Sequence, residues 1–231
     1  MNLKDLSARN RKVALSRWES HRKEERKRFA IDSEEILISK AALCGFLAGD
    51  GSVQVRKERH GGTHHEIWFF PDDVLMGETY CALFHQLFGY RPRMAPRKSI
   101  FEVRVTSKGI TQEIQRIATL GMKQWQVPLW VLSSKANTKA WLKAFFSAEG
   151  YVNKEVIRVQ TVNEKGMTQI SSMLSGIGIS HRRYYYTPKK VNHSKVSIII
   201  IAQKAARRLY AQEIGVWHSK KERVLKESLG L

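Results

Sequence analysis

A chain of 231 residues, 42% apolar and 26% charged, has the length for two cores of about a hundred residues each and the composition of a folded protein. It holds no apolar run of about 20 residues and begins with a charged segment, so neither a membrane span nor a signal peptide is expected. Forty Lys and Arg against 21 Asp and Glu give a net charge of +19 and point to a polyanionic partner, nucleic acid before a membrane surface.

In chain order, residues 1–35 read as a basic extension, with ten basic and four acidic residues through position 30 and Val13, Leu15 and Trp18 among its few apolar positions. The pattern then predicts helix 38–49, strands 52–57 and 64–70, helix 73–88, strands 91–97 and 100–106, and helix 107–120. After a connector containing Pro128 the order repeats: helix 137–148, a short hairpin through 151–161, helix 165–177, strands near 180–188 and 195–202, and helix 202–215. Val53 and Val55 alternate with Ser52, Gln54 and Arg56, and Val103 and Val105 with Glu102, Arg104 and Thr106, so each sheet has one apolar and one basic face. The expected class is α+β, two αββαββα halves over 36–130 and 131–231, each an antiparallel sheet with helices on one face. Cys44 and Cys81 show no metal-ligand spacing, and an intracellular setting (cytoplasm, nucleoid or organelle matrix) is expected.

The halves repeat in detail. "LCGFLAGDG" (43–51) and "LKAFFSAEG" (142–150) align residue by residue at a shift of 99. Gly45 and Gly49, then Ala144 and Ala148, lie four apart on one helix face, so the two helices can pack backbone to backbone. Each ends in an acid, Asp50 or Glu149, followed by glycine. A carboxylate at a helix C-terminus faces the dipole's negative end, and two of them repel. A divalent cation relieves both problems, held by the acids with the freed carbonyls of Gly49 and Ala148. That all-oxygen set suits Mg²⁺, and beside a basic surface it points to phosphodiester hydrolysis.

These two stretches resemble the signature helices of LAGLIDADG homing endonucleases in the single-chain, two-motif form, over about residues 36–225. The resemblance implies a pseudo-symmetric pair of saddle-shaped sheets lying in the major groove of DNA. It implies cleavage of both strands across the minor groove, leaving short 3′ overhangs, by a monomer. The motif's last acid, the family's metal ligand, maps onto Asp50 and Glu149, with Mg²⁺ or Mn²⁺ as cofactor and Ca²⁺ binding without supporting efficient cleavage. The sixth motif position, often Asp in the family, is Ala48 and Ser147 here. Active-site basic residues map onto Lys123 in the first half and onto Lys220 or Lys221 in the second, Lys221 being favoured. A further polar position, often Gln, follows the second strand; this chain has "VQTVN" (159–163) there in the second half, with Gln160 close to the position, while "FFPDD" (69–73) in the first half offers no equivalent.

The polar strand faces supply the DNA contacts expected: Ser52, Gln54, Arg56, Arg91, Arg93, Arg97, Arg104 and Thr106, then Arg158, Gln160, Arg182, Tyr184, Tyr186, Lys189 and Lys195. Arginine and glutamine can bond two sites on a base edge. The first hairpin is the longer, so the double-stranded target is expected to be long and not palindromic. "GGTHHE", with His60, His64 and His65 nearby, reads as a loop that touches phosphate. Two other readings remain: an intron RNA maturase on the same fold, and a DNA-binding regulator that no longer cleaves.

Overall fold

Ser33 accepts a hydrogen bond from the amide of Ile36 at 3.4 Å and so caps the first helix. The computed structural model describes residues 33–57, 61–188 and 194–231, with scattered helical positions between 12 and 23. Most of the basic extension, His60 and Lys189 lie outside the described residues.

The first half runs α1 (Glu34–Ala48), β1 (Gly51–Lys57), β2 (Thr63–Phe69), α2 (Val74–Phe88), β3 (Met94–Arg97), β4 (Ile100–Thr106) and α3 (Lys108–Ile117). A one-turn helix, α4 (Leu129–Leu132), leads into α5 (Lys135–Glu149), β5 (Tyr151–Val152), β6 (Ile157–Thr161), α6 (Glu164–Gly176), β7 (Arg182–Tyr186), β8 (Val196–Ile201), α7 (Lys204–Glu213) and α8 (Ser219–Leu229). The two four-stranded antiparallel sheets have the matching orders β1-β2-β4-β3 and β5-β6-β8-β7. This is the α+β, two-half arrangement expected. No helix among the described residues is long and apolar enough to cross a membrane.

Two elements differ from the sequence reading. Strand 91–97 shrinks to Met94–Arg97, because Pro92 has no amide to donate and Arg91 turns back to pair with Glu78 of α2. Helix α8 lies beyond residue 215, where the sequence reading assigns no element; only Leu225 and Leu229 are fully buried on it, and His218 caps it by accepting from the Lys221 amide at 3.4 Å.

Each sheet turns its apolar face to the helices. Ile67, Phe69, Val103 and Val105 are buried in the first half, as are Ile157, Val159, Ile199 and Ile201 in the second. The motif helices α1 and α5 pack on each other at the centre of a single core that runs through both halves. A Cβ on Gly45 would collide with the carbonyl oxygen of Trp141 and lie 3.0 Å from the Ala144 Cβ, so the small faces meet as the spacing requires. After α3 and after α7 the chain crosses to the opposite motif helix. Trp125 packs on Phe145 of α5 at 5.0 Å, and Trp217 stacks on Phe46 of α1 at 5.7 Å.

Candidate metal centre and nucleic-acid interface

The close packing of α1 and α5 fixes where their last residues emerge. Glu149 ends α5, and Asp50 lies just past the end of α1; a Cβ on the intervening Gly49 would be 3.2 Å from the Glu149 Cγ. Gly51 and Gly150 are needed because the strand leaves so tightly that a side chain at either would strike the preceding helix turn. Burial lifts the Asp50 carboxyl to about 6, with Lys221 opposing and Asp72 adding to the rise. Burial and then the Asp50 charge lift Glu149 to about 7, again opposed by Lys221, although Glu149 is open to solvent on one side.

Lys221 is the lysine delivered to these acids. Its ammonium donates to the carbonyls of Ser147 at 2.6 Å and Ala148 at 2.9 Å. Burial lowers its pKa, while Asp72, Asp50, Glu149 and Asp73 hold it up. The tail that carries it is pinned by Ser147, whose hydroxyl accepts from the Trp217 amide at 2.6 Å and donates to the Lys143 carbonyl. The serine that departs from the motif's usual Asp thus clamps the tail that carries Lys221. Lys220 is exposed on the first turn of α8.

Lys123 is the exception. It is exposed in the turn closed by Gly121, and it is not among the charges that act on either carboxylate. Aligning the crossing segments on Trp125 and Trp217 explains this: Lys123 precedes its tryptophan, whereas Lys221 follows the other by one helical turn. The Ala148 carbonyl, expected to face a metal, accepts from Lys221.

Two residues of the centre are missing from the sequence reading. Asp72 follows β2 and pairs through Oδ1 with His218 Nε2 at 3.3 Å, and that bond, with Lys221 nearby, holds its carboxyl below the usual range. His218 also sits 3.6 Å from Asp73, which caps α2. The signal was "FFPDD" after the second strand, where the family carries a polar group. The residue before each helix cap is Asp72 in one half and Val162 in the other, so the centre is asymmetric. Gln160 lies within β6, opposite Ile198, and does not follow the strand.

The donors present, two carboxylates and helix-end carbonyls, are all oxygen, and both acids hold protons more tightly than usual. The all-oxygen donor set fits a hard divalent ion such as Mg²⁺. No group of three or more His, Cys, Asp and Glu among the described residues forms a separate metal cluster.

The strand register assigns the outer, helix-free faces. Ser52, Gln54, Arg56, Arg104 and Thr106 share that face of the first sheet, and Arg158, Gln160, Arg182, Tyr184 and Tyr186 share that of the second. Arg56 donates to Gln54 at 2.6 Å and Gln54 to Ser52 at 2.7 Å, a fixed row along β1. Arg97 pairs with Glu102 at 2.6 Å, and Arg93 is exposed before β3. Three expectations change. Arg91 is turned to the helix side by Glu78. The Lys195 ammonium lies 3.7 Å over Tyr185, whose hydroxyl donates to Glu164 of α6, so it too sits away from the outer face. His64 and His65 belong to strand β2, not to a loop.

With this geometry in place, residues 137–215 match the family model for a LAGLIDADG-like domain. The chain is 24% identical over 217 residues to a DNA polymerase of Thermococcus kodakarensis, a match that takes in 86% of this chain and 12% of that one. It therefore spans about an eighth of that relative's length. The homing endonuclease I-DmoI, in complex with DNA and Mn, shares the fold with a TM-score of 0.63 at 17% identity, covering 78% of this chain and 97% of its own. Its mesophilic variants give 0.62 over the same shares, and a mutant of I-SmaMI gives 0.52 at 12% identity over 83% and 89%. The architecture is the single-chain, two-motif LAGLIDADG fold, and the second half carries a LAGLIDADG-like domain.

Proposed function

We propose that this chain is a site-specific, divalent-metal-dependent endonuclease that cuts both strands of a long, non-palindromic duplex DNA target. One observation carries the reading: Asp50 and Glu149 converge at the ends of packed helices, between two sheets whose outer faces present Ser, Gln, Arg and Tyr. I-DmoI, of the same fold, is a homing endonuclease solved with DNA and Mn, with DNA and Ca, and, as a variant, with target DNA and Mg.

Asp50 and Glu149, with the Gly49 carbonyl beside them, would hold the cation at the pseudo-symmetry axis. When bound there, Mg²⁺ or Mn²⁺ lowers the pKa of water and stabilises the leaving oxygen. Lys221 holds positive charge next to both acids, placed to steady phosphate charge. Asp72 and His218 fix the start of α8 and thus where Lys221 points. Each acid serves one strand, cutting across the minor groove to leave short 3′ overhangs. A single chain supplies both halves, so the active species is a monomer acting inside the cell.

The test is cleavage of a randomised duplex library by the full chain with Mg²⁺, read by sequencing the ends. Enriched ends with short 3′ extensions at one site support the reading. Binding of one duplex sequence without cleavage in Mg²⁺ or Mn²⁺ would leave a regulator, and preferential binding of structured intron RNA would leave a maturase.

A further inference from the structure

The outer face of the first sheet holds a carboxylate that a surface meeting phosphates would be expected to avoid. Glu66 on β2 lies opposite Gln54 and Thr106 on that face and is nevertheless only 5% exposed. One of its oxygens accepts from the Arg104 guanidinium, and the other accepts from Trp68 Nε1 at 3.4 Å. The guanidinium carbon lies 4.6 Å over the Trp68 ring. The bond from Arg104 outweighs the burial and keeps the Glu66 carboxyl below its usual range, so both partners are charged. Arg104 meanwhile leaves half its side chain open to solvent. Among the described residues the only hydrogen bond of its guanidinium is to Glu66, so other N–H donors of the fork remain unused.

The matching positions of the second sheet hold Val156, Arg158 and Ile200. There Arg158 lies 5.2 Å over Tyr151, and no carboxylate among the described residues pairs with it. The braced arginine is therefore peculiar to the first half.

We propose that Glu66, Trp68 and Arg104 form a rigid reader of one guanine in the duplex target, Arg104 bonding the base edge while Glu66 and Trp68 hold its plane. The inference rests on the duplex-DNA reading above. A phosphate contact would favour a lone arginine, because Glu66 repels a second anion and cancels the attraction. The guanine major-groove edge is different: it is uncharged and offers two acceptors at the spacing of a guanidinium fork. An arginine already stacked and paired gives up little rotamer freedom when it binds, so the bracing favours discrimination over bulk affinity.

The experiment selects the preferred target from a randomised duplex library with the full wild-type chain in Ca²⁺, then profiles every single-base change for wild type, Arg104→Lys and Glu66→Gln. Lysine keeps the charge and loses the fork, so preference for guanine should fall about 5- to 150-fold at one position and hold elsewhere. Glu66→Gln should weaken discrimination at that same position, while non-specific binding rises and the log–log salt slope steepens by about one. An Arg104→Lys profile identical to wild type overturns the assignment. So does a Glu66→Gln protein that keeps full guanine preference. A wild-type chain that enriches no duplex at all instead overturns the nuclease reading, and the reader with it.

Discussion

Gly49 of α1 and Ala148 of α5 meet so closely that a Cβ on Gly49 would lie 2.7 Å from the Ala148 Cβ. This contact sets the separation of the acids that follow each residue. Alanine is the better helix former by about 1 kcal/mol, so Gly45→Ala would stabilise an ordinary exposed helix. Here it should destabilise the protein by about 1–3 kcal/mol, since the added methyl meets the Trp141 backbone, which cannot swing away. Gly49→Ala should push on the Glu149 Cγ and lower cleavage more than DNA affinity. Urea unfolding checks the first, and a Gly45→Ala protein more stable than wild type would contradict the packed face.

The acid pair predicts an inverted pH dependence for the metal-free protein. The values of Asp50 and Glu149 rise from 3.8 and 4.5 to about 6 and about 7 on folding. Between those limits the native state binds more protons than the unfolded chain, so stability falls as pH rises through the window. Asp72 works the other way: its lowered value contributes stability that is lost only as pH falls toward and below its ordinary value of 3.8. Asp50→Asn should therefore flatten the curve and stabilise the metal-free protein near pH 7.5 by on the order of 2 kcal/mol. Glu149→Gln should do so less, because its open side is screened by solvent. Tm in chelator from pH 5 to 7.5 reads this directly. Both variants should also lose double-strand cleavage while keeping affinity in Ca²⁺. A wild type whose Tm is flat across that window would contradict the burial of the two acids at the helix ends.

Lys221 and Lys123 separate by environment. Lys221→Met should lower the cleavage rate about 10²-fold, the scale for losing one positioned electrostatic group. Lys123→Met should stay close to wild type, because no contact ties it to either acid. Asp72→Asn should shift the ratio of nicked to linear plasmid rather than abolish cleavage, since Val162 stands in its place in the other half. Equal losses for the two lysine variants would show that Lys123 reaches the centre once DNA is bound.

The motif helices, their packing face and both acids were legible because they depend on periodicity and repetition, which a single sequence displays. The crossing tails were not legible. Whether a lysine beyond the last helix of a half reaches the site depends on its spacing from a tryptophan that packs on the other half, and no local pattern encodes that. Asp72 escaped for a related reason: "PDD" reads as a turn and helix cap, a role that Asp73 does fill, while its neighbour is recruited by His218 from a distant part of the chain. The outer faces were assigned correctly at the register positions of regular strands. They failed at strand ends, where Pro92 shortens β3 and Tyr185 draws Lys195 aside.

Salt dependence tests how much of the charge serves binding. Arg91, Arg97 and Arg104 are each paired with a glutamate, so the strand arginines offer fewer free charges than the composition suggests. The segment through residue 30 carries ten basic and four acidic residues, and among the described residues the buried core draws on residues 41–229. A protein that begins at Ser33 should therefore fold with its helix cap intact and lose affinity mainly through phosphate contacts. For the full chain, six to ten such contacts give a log–log slope of roughly −5 to −9. Truncation should make that slope shallower by about two to four and weaken target and random duplexes alike, because phosphate contacts carry no sequence information. Fluorescence anisotropy between 50 and 300 mM salt (a range of about sixfold) measures both slopes. A truncated protein that keeps the full slope would place the phosphate contacts on the sheets, and one that fails to fold would make the extension part of the core.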